Sequence, residues 1–263
     1  MSFNLQQGKP IAKIIGGNVN GEILYLNTDN RDTGCTSDTS SGDLSDSDDA
    51  TEVEFDGKLS PILDIDQRSV VYVAGPSGSG KTTYAIKLIK NYLRVFPEKD
   101  FYLFSRTAYQ DDKAYDGMRV QQVKIDENLL DHPIDIEKEL RGGSILLFDD
   151  CNTIQNDKVK KQIDKLMADI MEVGRKLDIT IIITNHLIIP NERKMARTLL
   201  NEAQIMTIFP KSGSTQQITY ALKTYFGLNK KQIERLLQLP SRWVTIYKNY
   251  PMCVMYENGA YIL

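Results

Sequence analysis

SVVYVAGPSGSGKTT, residues 69–83, is the stretch on which the reading of this chain turns. Its opening run, Val70 to Val73, is apolar and rich in β-branched residues, which predicts a strand buried on both faces. The run breaks into Gly75, Pro76, Ser77, Gly78, Ser79, Gly80, Lys81 and Thr82, which fits G-x-x-x-x-G-K-[ST]. Glycines allow the loop to turn its backbone N–H groups inward on an anion, and the N-terminus of the following helix strengthens that site. Lys81 is placed to reach the β- and γ-phosphates of a nucleoside triphosphate, and Thr82 to bind Mg²⁺. Thr83 completes the predicted nucleotide-binding set.

Working outward, the helix predicted from Lys81 to Phe96 carries Tyr84, Ala85, Leu88, Ile89, Tyr92 and Leu93 on one face and stops at Pro97. Phe101–Ser105 predicts a second buried strand and Arg119–Val123 a weaker one. SILLFDD, residues 144–150, is a buried strand that delivers Asp149 and Asp150 at its carboxyl end, where open α/β sheets bind ligands. Asp149 is the predicted metal residue beside Thr82, and Asp150 the group that orients an attacking water. A helix predicted over 156–177 leads to ITIIITN, residues 179–185, a third strong strand. At its tip Thr184, Asn185 and His186 offer either a reader of the γ-phosphate or a buried polar cap. A basic helix with Arg193, Lys194 and Arg197 follows, then a strand over 204–209. Helices over 214–224 and 230–237 and strands over 243–247, 252–256 and 260–263 close the chain. Together these predict an α/β fold with a mostly parallel central sheet and helices on both faces.

Ahead of the motif, residues 1–26 predict a β-hairpin extension around GGNVNG, either free-standing or added to the main sheet's edge. Residues 27–58 are rich in Ser, Asp, Thr and Gly, and predict a disordered acidic linker. Ser40 and Ser45, each with Asp three residues on, fit acidic-directed phosphosites. The segment also suits a DNA mimic covering basic surface. Ten acidic residues against one Arg fall within 29–56, so the rest of a chain of net charge −3 is mildly basic, compatible with a nucleic-acid partner. The compact domain is predicted over 59–263. Three scattered cysteines, Cys35, Cys151 and Cys253, suggest a reducing compartment and no zinc site. The longest apolar stretch is too short to span a bilayer, and no secretory signal opens the sequence.

GPSGSGKTT, ILLFDD and GRKLDITIIITNH (174–186) together resemble the FtsK–HerA superfamily of P-loop ATPases. Within it the chain looks most like the poxvirus-type genome-packaging ATPases of large DNA viruses, an impression aided by the closing segment SRWVTIYKNYPMCVMYENGAYIL. The resemblance covers residues 68–263. It implies an ASCE-type sheet of strand order 5-1-4-3-2 and ATP hydrolysis between subunits of a homo-oligomeric ring, a pentamer or hexamer. It also implies translocation of double-stranded DNA into a capsid, with a capsid component as a further partner. The host cytoplasm or a virus factory, or the virion itself, would be its place of work. Carried over, Lys81, Thr82, Asp149 and Asp150 keep their roles. Asn185 takes the polar sensor place, where Gln is frequent in the family, and Arg175 lies where an arginine serves its own or a neighbour's site. Arg193 and Arg197 are rival finger residues.

The competing reading is a P-loop nucleotide or polynucleotide kinase. A strand between the two phosphate-site boxes, the Asp-Asp ending and the lack of an Arg-rich lid weigh against it. A GTP switch needs N-K-x-D, and the one Asn-Lys, at Asn229-Lys230-Lys231-Gln232, lacks the Asp. A scaffold that binds ATP without turnover is the remaining class.

Overall fold

Alternation along the strands sorts the apolar residues onto two sheet faces, and the helices divide accordingly. The computed structural model describes residues 1–28, 51–110 and 112–263. Five short strands come first: β1 (Ser2–Asn4), β2 (Lys9–Ile15), β3 (Ile23–Asn27), β4 (Glu52–Glu54) and β5 (Lys58–Pro61). The parallel core follows as β6 (Val70–Ala74), α1 (Lys81–Val95), β7 (Phe101–Ser105), β8 (Gln121–Lys124), α2 (Asn128–Asp131), α3 (Ile136–Glu139) and β9 (Ile145–Phe148). It continues through α4 (Asp157–Val173), β10 (Thr180–Asn185), α5 (Arg193–Glu202) and β11 (Ile205–Ile208). The chain ends with α6 (Thr215–Phe226), α7 (Lys230–Gln238), β12 (Val244–Tyr247), β13 (Cys253–Tyr256) and β14 (Gly259–Ile262).

The large sheet has the order β4-β14-β13-β12-β11-β6-β10-β9-β7-β8. From β11 through β8 every neighbouring pair is parallel, while β11, β12, β13, β14 and β4 pair antiparallel. With the edge strand β8 left out of the count, numbering from the phosphate-loop strand makes β11-β6-β10-β9-β7 read 5-1-4-3-2, the order the resemblance implies. The sheet is therefore the expected mostly parallel one, with an antiparallel meander added along one side.

Val71, Val73, Leu147 and Ile182 pack on one face with Tyr84, Ala85, Leu88 and Ile89 of α1. Tyr72, Leu146, Phe148, Ile181 and Ile183 face the other way, against Ile163 and Ile170 of α4, Leu199 of α5, Leu222 of α6 and Leu236 of α7. Helices thus cover both faces. The first strands form a separate antiparallel sheet, β1-β3-β2-β5, which lies on the α1 face through Phe3, Ile11, Ile14 and Leu24. The hairpin β2–β3 is accordingly part of a second layer and not an edge of the main sheet.

The predicted linker over 27–58 needs correction at its C-terminal end. Glu52–Glu54 pairs with β14, Val53 and Phe55 pack against the core, Arg235 pairs with Glu52 and the Tyr256 hydroxyl donates to Glu54 at 2.7 Å, so an acidic strand docks on an open edge. Ser40, Ser45, Cys35 and the disorder expected around them lie outside the described residues. Cys151 and Cys253 are buried free thiols, and burial raises both above the usual range, Cys253 to about 12. Among the described residues no helix is long and apolar enough to cross a membrane.

Candidate functional site

α1 begins without a side-chain cap. α4, α6 and α7 start on Asn156, Ser214 and Asn229, whose side chains accept from first-turn N–H groups. Gly80 precedes α1 instead, in a left-handed conformation (φ 104°), and supplies no such acceptor. The first-turn donors of α1 are left for an anion. Ser79 Oγ is buried with no hydrogen-bond partner among the described residues, a second polar group placed to serve a ligand inside the loop. Gly75 is fixed by close approach: a Cβ there would come within 2.8 Å of both Phe209 and Ser79 Oγ. Its N–H donates to Asn185 O at 3.0 Å, tying the loop to the end of β10.

Three strand ends bring the polar residues together. Lys81 is buried; its Nζ donates to Pro76 O (3.3 Å) and lies 3.6 Å from Asp150 Oδ1. Thr82 Oγ1 donates to Asp149 Oδ1 at 3.1 Å. Burial pushes the Asp149 carboxyl above the usual range, and the Asp150 charge adds to this, while hydroxyl donation from Thr184 and Thr82 and the Lys81 charge oppose it. A divalent cation would relieve that shift, and Thr82 with Asp149 is an all-oxygen pair of the kind Mg²⁺ prefers. The residues therefore fit the metal.

Asp150 takes a left-handed backbone (φ 48°), unusual outside glycine, and the turn is held by its N–H donating to Thr184 Oγ1 at 2.9 Å. Thr184 Oγ1 in turn donates to Asp149 Oδ1 at 2.7 Å. One hydroxyl on β10 thus braces both aspartates. Asn185, one residue on, falls on the opposite sheet face, and its side chain accepts from Leu187 N (3.0 Å) as a buried turn cap. From this strand Thr184, not Asn185, reaches the acidic pair. His186 does so from beyond the strand: Nε2 lies 3.2 Å from Asp150 Oδ2 and Nδ1 3.4 Å from Lys81 Nζ. The tautomer with hydrogen on Nε2 satisfies both contacts.

The three candidate finger arginines lie elsewhere. Arg175 is exposed in the turn between α4 and β10, at the amino edge of the parallel strands. The six residues of β10 put about 20 Å between that edge and the phosphate loop. Beside it Arg68 donates to Ile170 O (3.2 Å) and Met171 O (2.6 Å), anchoring the last turn of α4. Arg193 and Arg197 are exposed on α5.

A residue that motif reading missed also touches the loop. Arg242, just before β12, donates from Nε to Ser79 O (3.0 Å) and from Nη2 to Gly78 O (3.4 Å). More than 150 residues separate it from the loop in sequence, so no local pattern could have pointed to it.

No family model matches the chain. It is 40% identical to protein V3 of Sputnik virophage, described as uncharacterized, over 97% of this chain and 96% of V3. This chain belongs to the V3 family. Among solved structures it is similar to B204, the DNA-packaging ATPase of Sulfolobus turreted icosahedral virus. The TM-score is 0.50 at 12% identity, over 72% of this chain and 97% of B204. It is also similar to the cytoplasmic domain of the type VII secretion ATPase EccC of Thermomonospora curvata. There the TM-score is 0.50 at 14% identity, over 79% of this chain and 28% of EccC. This V3-family chain thus shares the fold of the P-loop ATPases B204 and EccC.

Proposed function

We propose that this protein is an ATP-hydrolysing motor that moves double-stranded DNA and packages a viral genome into a capsid. The observation that carries the reading is the meeting of Lys81, Thr82, Asp149, Asp150 and Thr184 at one edge of a 5-1-4-3-2 sheet. The virophage relative and the fold shared with B204 support the packaging role.

In this reading the backbone N–H groups of the loop and the start of α1 hold the β- and γ-phosphates, and Lys81 exchanges Asp150 for them. Thr82 and Asp149 would hold Mg²⁺, which supplies neutralisation of charge between those phosphates. Asp150 accepts a hydrogen bond from the attacking water and orients it in line with the γ-phosphorus; as the water oxygen bonds to phosphorus the bond to the β–γ bridging oxygen breaks, ADP leaves with that electron pair, and the phosphate released carries the water's proton. His186 and Thr184 keep Asp150 aimed, and they lose or regain its contacts as Lys81 moves. That makes the tip of β10 the element through which phosphate loss is felt.

Arg175 cannot reach its own subunit's loop, so in this reading it completes a neighbour's site within a ring of five or six copies. A capsid component would dock that ring, in a virus factory or the host cytoplasm or on the virion. The test is ATPase rate against added double-stranded DNA, with oligomer mass measured in the same buffer. Stimulated turnover by a ring-sized species is expected; DNA-independent turnover by a monomer contradicts the motor.

A further inference from the structure

The phosphate loop has a direction. Lys81, Asp149, Asp150 and His186 mark the end where the terminal phosphate belongs. The other flank, at Ser79, Gly80 and Thr83, opens into a cleft of about 330 Å³ that is also lined by Lys58, Lys87, Arg242, Trp243 and Glu257. A triphosphate seated with its last phosphate against Lys81 must send the rest of the nucleotide out along that flank. We propose that this cleft is the nucleoside subsite, with Trp243 as the platform on which the base stacks. The proposal rests on the nucleotide-binding reading above and names the residues that hold the half of the ligand the loop does not touch.

The wall is pre-organised. Tyr84, on α1, packs against the Trp243 ring with centroids 5.2 Å apart and planes at 59°. The Tyr84 hydroxyl shares a hydrogen bond with Thr245 Oγ1 (2.7 Å), which bonds Thr207 Oγ1 (2.9 Å), so buried hydroxyls fix the ring that fixes the tryptophan. Trp243 itself is half-buried and leaves part of its surface toward the cleft. Arg242 clamps the loop carbonyls of Gly78 and Ser79, while its own N–H donates to Glu257 at 3.0 Å. Two consecutive residues thus tie the meander to the phosphate loop and place an indole ring beside it. Rigid aromatic area bordered by a few placed polar groups is the usual composition of a small-ligand site, and stacking on an aromatic side chain suits any base.

Trp243 is the one tryptophan of the chain, so its fluorescence reports the cleft without labelling. The experiment compares ATP, ADP and inorganic tripolyphosphate on the full chain by calorimetry and by tryptophan emission. ATP and ADP should change the emission; tripolyphosphate should bind without changing it. Trp243→Ala should weaken ATP by about tenfold or more, the loss expected on removing one stacking platform, and leave tripolyphosphate affinity as it was. Trp243→Phe should restore most of the difference. Retained tripolyphosphate binding certifies that the loop of each variant is folded. Unchanged ATP affinity in Trp243→Ala, or ADP bound by calorimetry with no emission change, overturns the subsite while the phosphate loop stands. Failure of the wild-type chain to bind either ligand overturns the nucleotide-binding reading and the subsite with it.

Discussion

The two edges of the parallel core use the same strands for opposite arrangements. At the carboxyl edge, β6, β9 and β10 deliver Lys81, Asp149, Asp150 and Thr184 to one place, with Lys81 beside Asp150 and Asp149 held by two hydroxyls. At the amino edge the start of β10 presents Arg175 to solvent, and its neighbour Arg68 is spent on the carbonyls of α4. Burial holds the Arg68 guanidinium below the usual arginine range, and the nearby Arg175 adds to that shift. One edge is a self-contained site; the other holds a cation about a sheet's width from any phosphate of its own chain. A second copy is what would bring the two together.

Predictions that would break or sharpen this contrast differ widely in size. Lys81→Ala removes the buried ammonium that serves the phosphates and should lower ATP turnover by about a thousandfold or more, comparable with other phosphoryl-transfer contacts. A folded variant with wild-type turnover would take the active site away from the carboxyl edge. Asp150→Asn should cost about a hundredfold in turnover with nucleotide affinity equal or tighter, because the phosphates no longer compete with a carboxylate for Lys81. Binding measured by calorimetry beside steady-state rates decides it; a joint collapse would make Asp150 a metal or structural residue. His186→Ala removes one of the side chains that aim the Asp150 carboxylate and should lower turnover about tenfold with little change in affinity, read from the same pair of measurements. Residues 29–50 are almost without apolar side chains to lend a core, and replacing them with a short Gly/Ser linker should shift stability by less than about 0.5 kcal/mol in denaturant melts. Extending the replacement through 56 should cost more, because Val53 and Phe55 leave the core.

What could be read in advance was whatever the chain writes contiguously. Gly75 to Thr82 is a local motif whose loop needs glycine at a left-handed position, and the buried strands announce themselves as unbroken apolar runs. Phe101–Ser105 was placed to the residue for that reason. The site's bracing was not legible, because it is made by contacts across long stretches of chain. Asp149 meets Thr184, and Arg242 meets Ser79, only once the sheet has ordered its strands. The choice between Thr184 and Asn185 is a matter of strand parity, and a one-residue step moves a side chain to the other face. The strand at Glu52–Glu54 was hidden by its acidic surroundings, since its partner edge lies at the far end of the sequence.

The measurement that bears most directly on the two-edge account is complementation between two inactive proteins. Arg175→Ala retains the carboxyl edge and should bind ATP normally, yet hydrolyse about a thousandfold more slowly if its guanidinium acts as a trans finger. Lys81→Ala retains the amino edge. ATPase activity is followed across mixing ratios of the two, with mixed-ring formation confirmed by mass. The account predicts activity above the sum of the parents, peaking near equal proportions, because some interfaces then pair an intact loop with an intact arginine. Mixed rings whose activity never exceeds that sum would contradict it.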